Sequence, residues 1–599
     1  MPTAIVTGQP VPGSSLESDL RSLGFDVHAA TDATDAETLL AAVPADRRVA
    51  LVDARFVGHL HALRLGLTDP RFDLAAVPGA VTAQPAARQA LTRTLAREAS
   101  AGPGAALAVD SLADRVVTTL DTDGSAIHRP ELGSLVAAVP ADPQARNEAR
   151  QAVAAVDEEA IRLKSAVKSR DGFFTTFFIS PYSRYIARWC ARRGLTPNQV
   201  TTASLLTALI AAGCAATGTR GGFIAAGVLL IASFVLDCTD GQLARYALKY
   251  STLGAWLDAT FDRAKEYAYY AGLALGAARG GDDVWALALG AMILQTCRHV
   301  VDFSFNEANH DATANTSPTA ALSDKLDSVG WTVWVRRMIV LPIGERWAMI
   351  AVLTAATTPR ITLIVLLAGC AVAATYTTAG RVLRSLTRRA KRTDRAARAL
   401  ADLADSGPLA ENLTRVVKRG LPGLAVPAVA LLGGAVVVGC SALSAPGGVL
   451  PVIGAVVYVV TSAFAVARPL KGALDWLVPP LFRAAEYGTV LALASKAGVN
   501  GALPAAFGLV AAVAYHHYDT VYRIRGNAGA PPAWLVRAIG GQEGRTLLVT
   551  VLAALLSASQ FKVALTVVAV AVALVVLVES IRFWVSAGAP AVHDEGEPA

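Results

Sequence analysis

Between residues 237 and 262 the chain reads DCTDGQLARYALKYSTLGAWLDATFD, with acids inside or beside apolar runs. Asp237 and Asp240 are three residues apart, and Asp258 and Asp262 are four apart, so in helices each pair shares one face. A break near residues 249–252 separates the pairs. The stretch therefore predicts two antiparallel helices that present two carboxylates each to a common point. Carboxylates gathered in apolar surroundings repel one another, and each uncompensated buried charge is expensive. Bound cations relieve both costs. An all-oxygen donor set suits Mg²⁺ or Mn²⁺, ions that also hold phosphates. Two spanning helices with chance acids are the alternative, and it is disfavoured because acids within a membrane are rare and usually functional.

The same residues carry a resemblance. Asp237, Asp240, Gly241, Ala244, Arg245, Gly254, Asp258 and Asp262 fill, with matching spacing, the pattern Asp-x-x-Asp-Gly-x-x-Ala-Arg, eight residues, Gly, three residues, Asp, three residues, Asp. This pattern resembles the signature of the CDP-alcohol phosphotransferase family. The resemblance implies a six-helix membrane bundle, two divalent ions held by Asp237, Asp240, Asp258 and Asp262, and Asp262 as general base. It also implies a CDP-alcohol donor, an alcohol acceptor and a homodimer. CDP binding falls on Asp237, Asp240, Gly241, Ala244, Arg245 and Gly254. Asn198, in the Leu-Thr-Pro-Asn stretch at 195–198, resembles the family again, and a purely structural role as helix cap stays open for it.

Composition supports a membrane setting. Hydrophobic residues make up 53% of the 599 and charged residues 17%. The balance is uneven, with residues 1–145 reading as soluble and the remainder dominated by runs long enough to span a bilayer. The net charge of +7 is not a nucleic-acid signal, because Lys and Arg cluster beside apolar runs as the positive-inside rule expects. The N-terminus has no basic stretch followed by an apolar run, so no secretory signal is expected.

In residues 1–145, apolar runs at 3–8, 26–31 and 48–54 read as strands, with helices at 15–23 and 35–43 between them. Residues 106–111 and 115–121 are further strand candidates. Alternating β and α predicts a parallel or mixed sheet with helices on both faces. By placement and coarse topology the domain resembles the nucleotidyltransferase-like domain fused to some family members, in a degenerate form.

Residues 146–198 form a connector that ends in an aromatic and basic helix suited to the membrane interface. Residues 199–392 hold six candidate spans, near 199–217, 220–241, 252–277, 284–305, 345–358 and 360–381. Residues 393–420 read as a basic linker. Residues 421–585 hold six more, near 422–443, 447–468, 481–497, 501–518, 545–559 and 562–585, and 586–599 form a tail. The charge bias of the connections places both termini and the Asp ends of the motif on the cytoplasmic side of a plasma membrane.

Other candidates rest on single residues. Arg298 either pairs with Asp302 four residues on or binds an acceptor phosphate. Arg336 and Arg337 either bind the acceptor or anchor a cytoplasmic elbow. Arg483, Glu486, His516, His517 and Asp519 either lock the second bundle by salt bridges or form a second ligand, headgroup or metal site. The resulting expectation is an integral-membrane transferase that moves a substituted phosphate from a CDP-alcohol to an acceptor of phospholipid or inositol-phosphate type, releasing CMP. The alternative is a non-catalytic scaffold or transporter that retains the fold.

Overall fold

The computed structural model describes residues 1–100, 111–168, 171–312, 330–387, 390–417 and 420–586. Two compact units emerge. One comprises residues 1–169, 184–197 and 239–251, and the other residues 170–183, 198–238 and 252–599.

The first unit is built on an α/β sheet. Strands β1 (Thr3–Thr7), β2 (Asp26–Ala30) and β3 (Val49–Asp53) lie where the apolar runs predict them. A short strand β4 (Val57–Gly58) follows, then β5 (Leu74–Val77), β6 (Ala80–Ala83) and β7 (Ala137–Ala138). The main sheet has the order β2-β1-β3-β6-β5, and β4 pairs with β7. β1 is parallel to both β2 and β3, whereas β6 is antiparallel to β3 and to β5, so the sheet is mixed. One expectation changes. Residues 115–121 lie in a helix, Leu112–Thr122, whose Leu112, Ala113, Val116 and Leu120 are buried at helical spacing. The 106–111 candidate falls outside the described residues apart from Ser111.

The second unit is helical. Helices stand at all twelve positions expected for spans, from Pro197–Ala216 to Ala558–Ser586. Five of them are long and apolar enough to cross a membrane: Pro197–Ala216, Arg220–Ala247, Pro359–Thr387, Ala425–Leu443 and Ala558–Ser586. A sixth is reached if Trp334–Val340 and Ile343–Ala356, bent by 65°, count as one span. The other helices at the expected positions do not meet this test of length and apolarity. Helices such as Thr252–Arg279 drop out because they carry charges in mid-sequence, here Asp258, Asp262, Arg263, Lys265 and Glu266. The segment expected to be a linker is also structured, forming helices Asp394–Ala404 and Pro408–Val416.

The motif is divided between Arg220–Ala247 and Thr252–Arg279, termed here the first and second motif helices. The first stops at Leu248, which takes a left-handed φ of 51°, while the Lys249 N–H returns to the Ala244 carbonyl at 3.0 Å. This hydrogen-bonded cap ends the helix without a glycine. At its far end the second motif helix lies against Pro197–Ala216. A Cβ on Gly272 would stand 2.4 Å from the Ala212 carbonyl oxygen, and one on Gly276 would stand 2.0 Å from that of Ala215. Gly-x-x-x-Gly spacing lets the two backbones meet. Aromatic residues line the interface-type helix, with Phe177, Phe178, Tyr182, Tyr185 and Trp189 all exposed.

Candidate active site

Two motif helices and one neighbour build the site. Asp237 and Asp240 project from one turn of the first motif helix and Asp258 from the start of the second. One carboxylate oxygen from each of these three lies within 4.8 Å of the others. Among the described residues this is the group able to hold a metal ion. The donors are hard oxygens, so the set fits Mg²⁺ or Mn²⁺ and does not favour a soft-ligand metal.

Asp262 stands outside this three-carboxylate group. Its carboxylate meets the Lys265 ammonium at 2.9 Å, and the same ammonium bonds to Asp237. Lys265 also donates to Ser204 Oγ at 3.2 Å. Ser204 is itself fixed, since its hydroxyl and that of Ser233 donate to each other's backbone carbonyls at 2.9 and 2.8 Å.

Behind the acids lies a buried ionic cluster. Glu266 receives Arg263 at 2.8 Å, Arg346 at 3.0 Å and the Tyr270 hydroxyl at 2.6 Å. Arg263 also reaches toward His299 Nδ1 at 3.4 Å and stands 5.5 Å from the Tyr518 ring centroid. A carboxylate buried this fully needs such partners, because its desolvation is otherwise uncompensated. Lys265, Arg263, Glu266 and Arg346 were all absent from the candidates drawn from sequence. The run Asp262-Arg263-Ala264-Lys265-Glu266 holds a usable signal, namely four ionisable residues within five positions of a largely apolar helix.

The remaining candidates divide. Gly241 faces Arg245, whose guanidinium would lie 3.5 Å from a Cβ added there. Arg245 Nε donates to the Ala166 carbonyl at 2.6 Å. Ala244 and Gly254 are half-buried on their motif helices. Asn198 sits in the first turn of Pro197–Ala216, where its carbonyl accepts from the Thr202 hydroxyl at 2.8 Å. Arg298 does not pair with Asp302. Its guanidinium caps the carbonyls of Val340 and Leu341 at the bend before Ile343, and Asp302 pairs with Arg381. The carbonyls at a helix end lack intrahelical donors, which explains their claim on Arg298. Arg336 is half-buried in Gly330–Val340. The Arg337 side chain lies outside the described residues.

In the second bundle the polar residues pair among themselves. Arg545 bridges Asp405 and Glu486, each at 2.6 Å, and Arg483 reaches the same two acids at 3.3 and 2.9 Å. His516 Nε2 adds to Asp405 at 3.3 Å. Asp519 takes donors from Ser580, Trp584 and Arg523 at 2.8, 2.7 and 2.8 Å. His517 is buried beside His516 but joins none of these pairs. Arg483 and Arg545 against Asp405 and Glu486 make a charge-balanced lock with His516 beside it, and Asp519 is paired separately with Arg523.

Residues 194–374 match the family described as CDP-alcohol phosphatidyltransferase. The span takes in both motif helices and all four acids. This region is a CDP-alcohol phosphatidyltransferase domain. Residues 394–599 match a family of unknown function, DUF5941, so the CDP-alcohol phosphatidyltransferase domain is joined to a further region that includes the second bundle. The chain is 35% identical over 131 residues to a phosphatidylinositol phosphate synthase of Streptomyces avermitilis, which is 20% of this chain and 51% of that protein. It is 33% identical over 113 residues to an archaetidylinositol phosphate synthase of Pyrococcus horikoshii, 19% of this chain and 58% of that one. A bifunctional IPC transferase and DIPP synthase of Aquifex aeolicus is 32% identical over 114 residues, 19% of this chain and 26% of that protein. The chain thus spans about half the length of the first curated relatives it matches. The family and the apolar helices together make this a multi-pass membrane protein.

Proposed function

We propose that the protein transfers a substituted phosphate from a CDP-alcohol to a second alcohol, with release of CMP. The observation that carries this reading is the convergence of Asp237, Asp240 and Asp258 within the matched domain. A divalent ion bound by these carboxylates would neutralise the diphosphate and make its phosphorus a better electrophile. Asp262, one turn beyond Asp258, takes the proton from the acceptor hydroxyl. The freed oxygen forms a bond to the β-phosphorus as the bond to the bridging oxygen breaks, and CMP leaves with that electron pair. Base catalysis of this type contributes about 10²–10⁴-fold. The Nε of Arg245 is committed to Ala166, so nucleotide phosphate contact falls to its Nη nitrogens. Gly241 and Ala244 keep the helix surface low beneath the nucleotide, and Asn198 supports it from the neighbouring helix.

The acceptor is taken to be of inositol-phosphate type, because the relatives bear the names of inositol phosphate synthases. A phosphorylated acceptor needs cationic contacts, for which Arg336 and Arg337 on the elbow are the candidates. All twelve helices of the two bundles are read as spans, the charged ones shielded by their neighbours. The bias of Lys and Arg toward residues 168–198, 306–346 and 381–392 assigns both termini and the Asp cluster to the cytoplasmic side of the plasma membrane.

The test is CMP release by the purified protein in nanodiscs, with Mg²⁺ or Mn²⁺ and CDP-diacylglycerol or CDP-inositol paired with inositol phosphate, glycerol phosphate or inositol. Release confined to an inositol-phosphate pair supports the reading. Release with another acceptor alone overturns the acceptor assignment and keeps the transferase.

A further inference from the structure

The second motif helix places Asp258, Asp262 and Lys265 at i, i+4 and i+7, a single stripe along one face. The Lys265 ammonium therefore reaches the carboxylates from their own helix. It meets an oxygen of Asp237, of Asp262 and of Ser204, donating hydrogen bonds to the first and the last and forming an ion pair with Asp262 at 2.9 Å. Its side chain is 0% exposed, and the Trp347 ring centroid lies 5.5 Å from Nζ, on a further face of the charge. The mutually bonded Ser204–Ser233 pair holds the third acceptor in place. These contacts make a complete cation site whose occupant is covalently part of the chain.

We infer that Lys265 is a resident cation of the active site, standing between Asp237 and Asp262 where a second divalent ion would otherwise be needed, so that this protein works with one divalent ion on Asp237, Asp240 and Asp258. The inference rests on the transferase reading and revises the two-ion expectation attached to the motif. Three carboxylates converge on one point, whereas Asp262 is drawn to the lysine. One divalent ion plus the ammonium supplies three positive charges against the four carboxylates. The diphosphate of the substrate then meets a site with one fixed and one exchangeable cation. Lys265 acts on the reaction by fixing Asp262 and by holding positive charge beside the transferring phosphate, and it forms no bond to the substrate.

The experiment is Mn²⁺ binding to the full-length protein in nanodiscs, followed by electron paramagnetic resonance and by calorimetric stoichiometry. The native protein is expected to bind one Mn²⁺ per chain, with the spectrum of an isolated ion, and to lose it in Asp240→Asn. Lys265→Met is expected to bind two and to show the exchange-coupled spectrum of a close pair. Lys265→Arg, which keeps the charge, is expected to stay at one. A native protein that binds a coupled pair overturns the inference while leaving the transferase reading intact, and so does Lys265→Met that remains at one. If Lys265→Met does not fold, the native stoichiometry decides alone. Native protein that binds no Mn²⁺ overturns both this inference and the reading beneath it.

Discussion

The Tyr518 hydroxyl lies 2.5 Å from His299 Nδ1. The two side chains belong to regions that match different families, His299 to the CDP-alcohol phosphatidyltransferase domain and Tyr518 to the family of unknown function. Through His299 and Arg263 the contact runs back to Glu266 and so to the helix that carries Asp262. Tyr518→Phe removes one buried hydrogen bond and keeps the ring over Arg263. Loss of a buried polar partner costs about 1–3 kcal/mol. Thermal unfolding in nanodiscs should show that loss, with a fall in kcat and an unchanged KM for the donor. Unaltered unfolding and kcat would mean that the C-terminal region does not support the catalytic helix.

Removing one carboxylate from the cluster should act on metal binding first. Asp240→Asn is expected to cut CMP release by about 10²-fold or more, as loss of one preorganised electrostatic group does. A chelator should abolish release by the native protein, and added Mg²⁺ or Mn²⁺ should restore it. Release that survives chelation would remove the metal from the account.

Glu266 is the common acceptor for Arg263, Arg346 and Tyr270. Glu266→Ala leaves two buried guanidinium groups uncompensated, and breaking a buried pair in this way costs about 3–5 kcal/mol. We expect a lower yield of folded protein and a lower unfolding temperature, more severe than for Glu266→Asp. Equal stability of the two variants, at the native level, would show that the arginines are compensated by other groups.

The N-terminal unit should show its own pH dependence. His61 is buried, neither ring nitrogen has a hydrogen-bond partner, and burial followed by the nearby Arg162 and Arg64 charges lowers its pKa to about 4. The unfolded value is near 6.5. A histidine depressed in this way contributes its full stability above about pH 6.5. That contribution is lost as pH falls toward 4, and the loss is about 2 kcal/mol at pH 5. The first unfolding transition should therefore drop between pH 7 and pH 5, and His61→Phe should flatten the drop. The same slope in the variant would assign the dependence elsewhere.

The parts that sequence reveals and the parts it hides have distinct physical origins. The Asp motif is legible because helical periodicity alone brings Asp237 beside Asp240 and Asp258 beside Asp262. β1 to β3 are legible as short apolar runs flanked by helical patterns. Residues 115–121 misled through their β-branched Val-Val-Thr-Thr, although Leu112, Val116 and Leu120 have the helical period that tertiary burial rewards. The β5–β6 hairpin has its own signal, since Pro78-Gly79 joins two apolar runs, with Gly79 at a φ of 77° as such a turn requires. The pairing of Glu266 with Arg346 and of Asp302 with Arg381 joins residues about eighty positions apart. No local pattern encodes such partners, which is why Arg298 could be paired with Asp302 on paper and is not paired with it in the fold.

The most direct test of the central claim is CMP release from CDP-diacylglycerol and inositol phosphate by native protein and by Asp262→Asn, with Mg²⁺ present and the folding of both checked by thermal unfolding. The account predicts metal-dependent release by the native protein and a loss of about 10²-fold or more in the variant, with folding retained. Equal release by the two would contradict the role given to Asp262. No release by native protein with any CDP-alcohol and acceptor, in protein that binds neither CDP nor Mn²⁺, would contradict the transferase itself and leave the scaffold reading in its place.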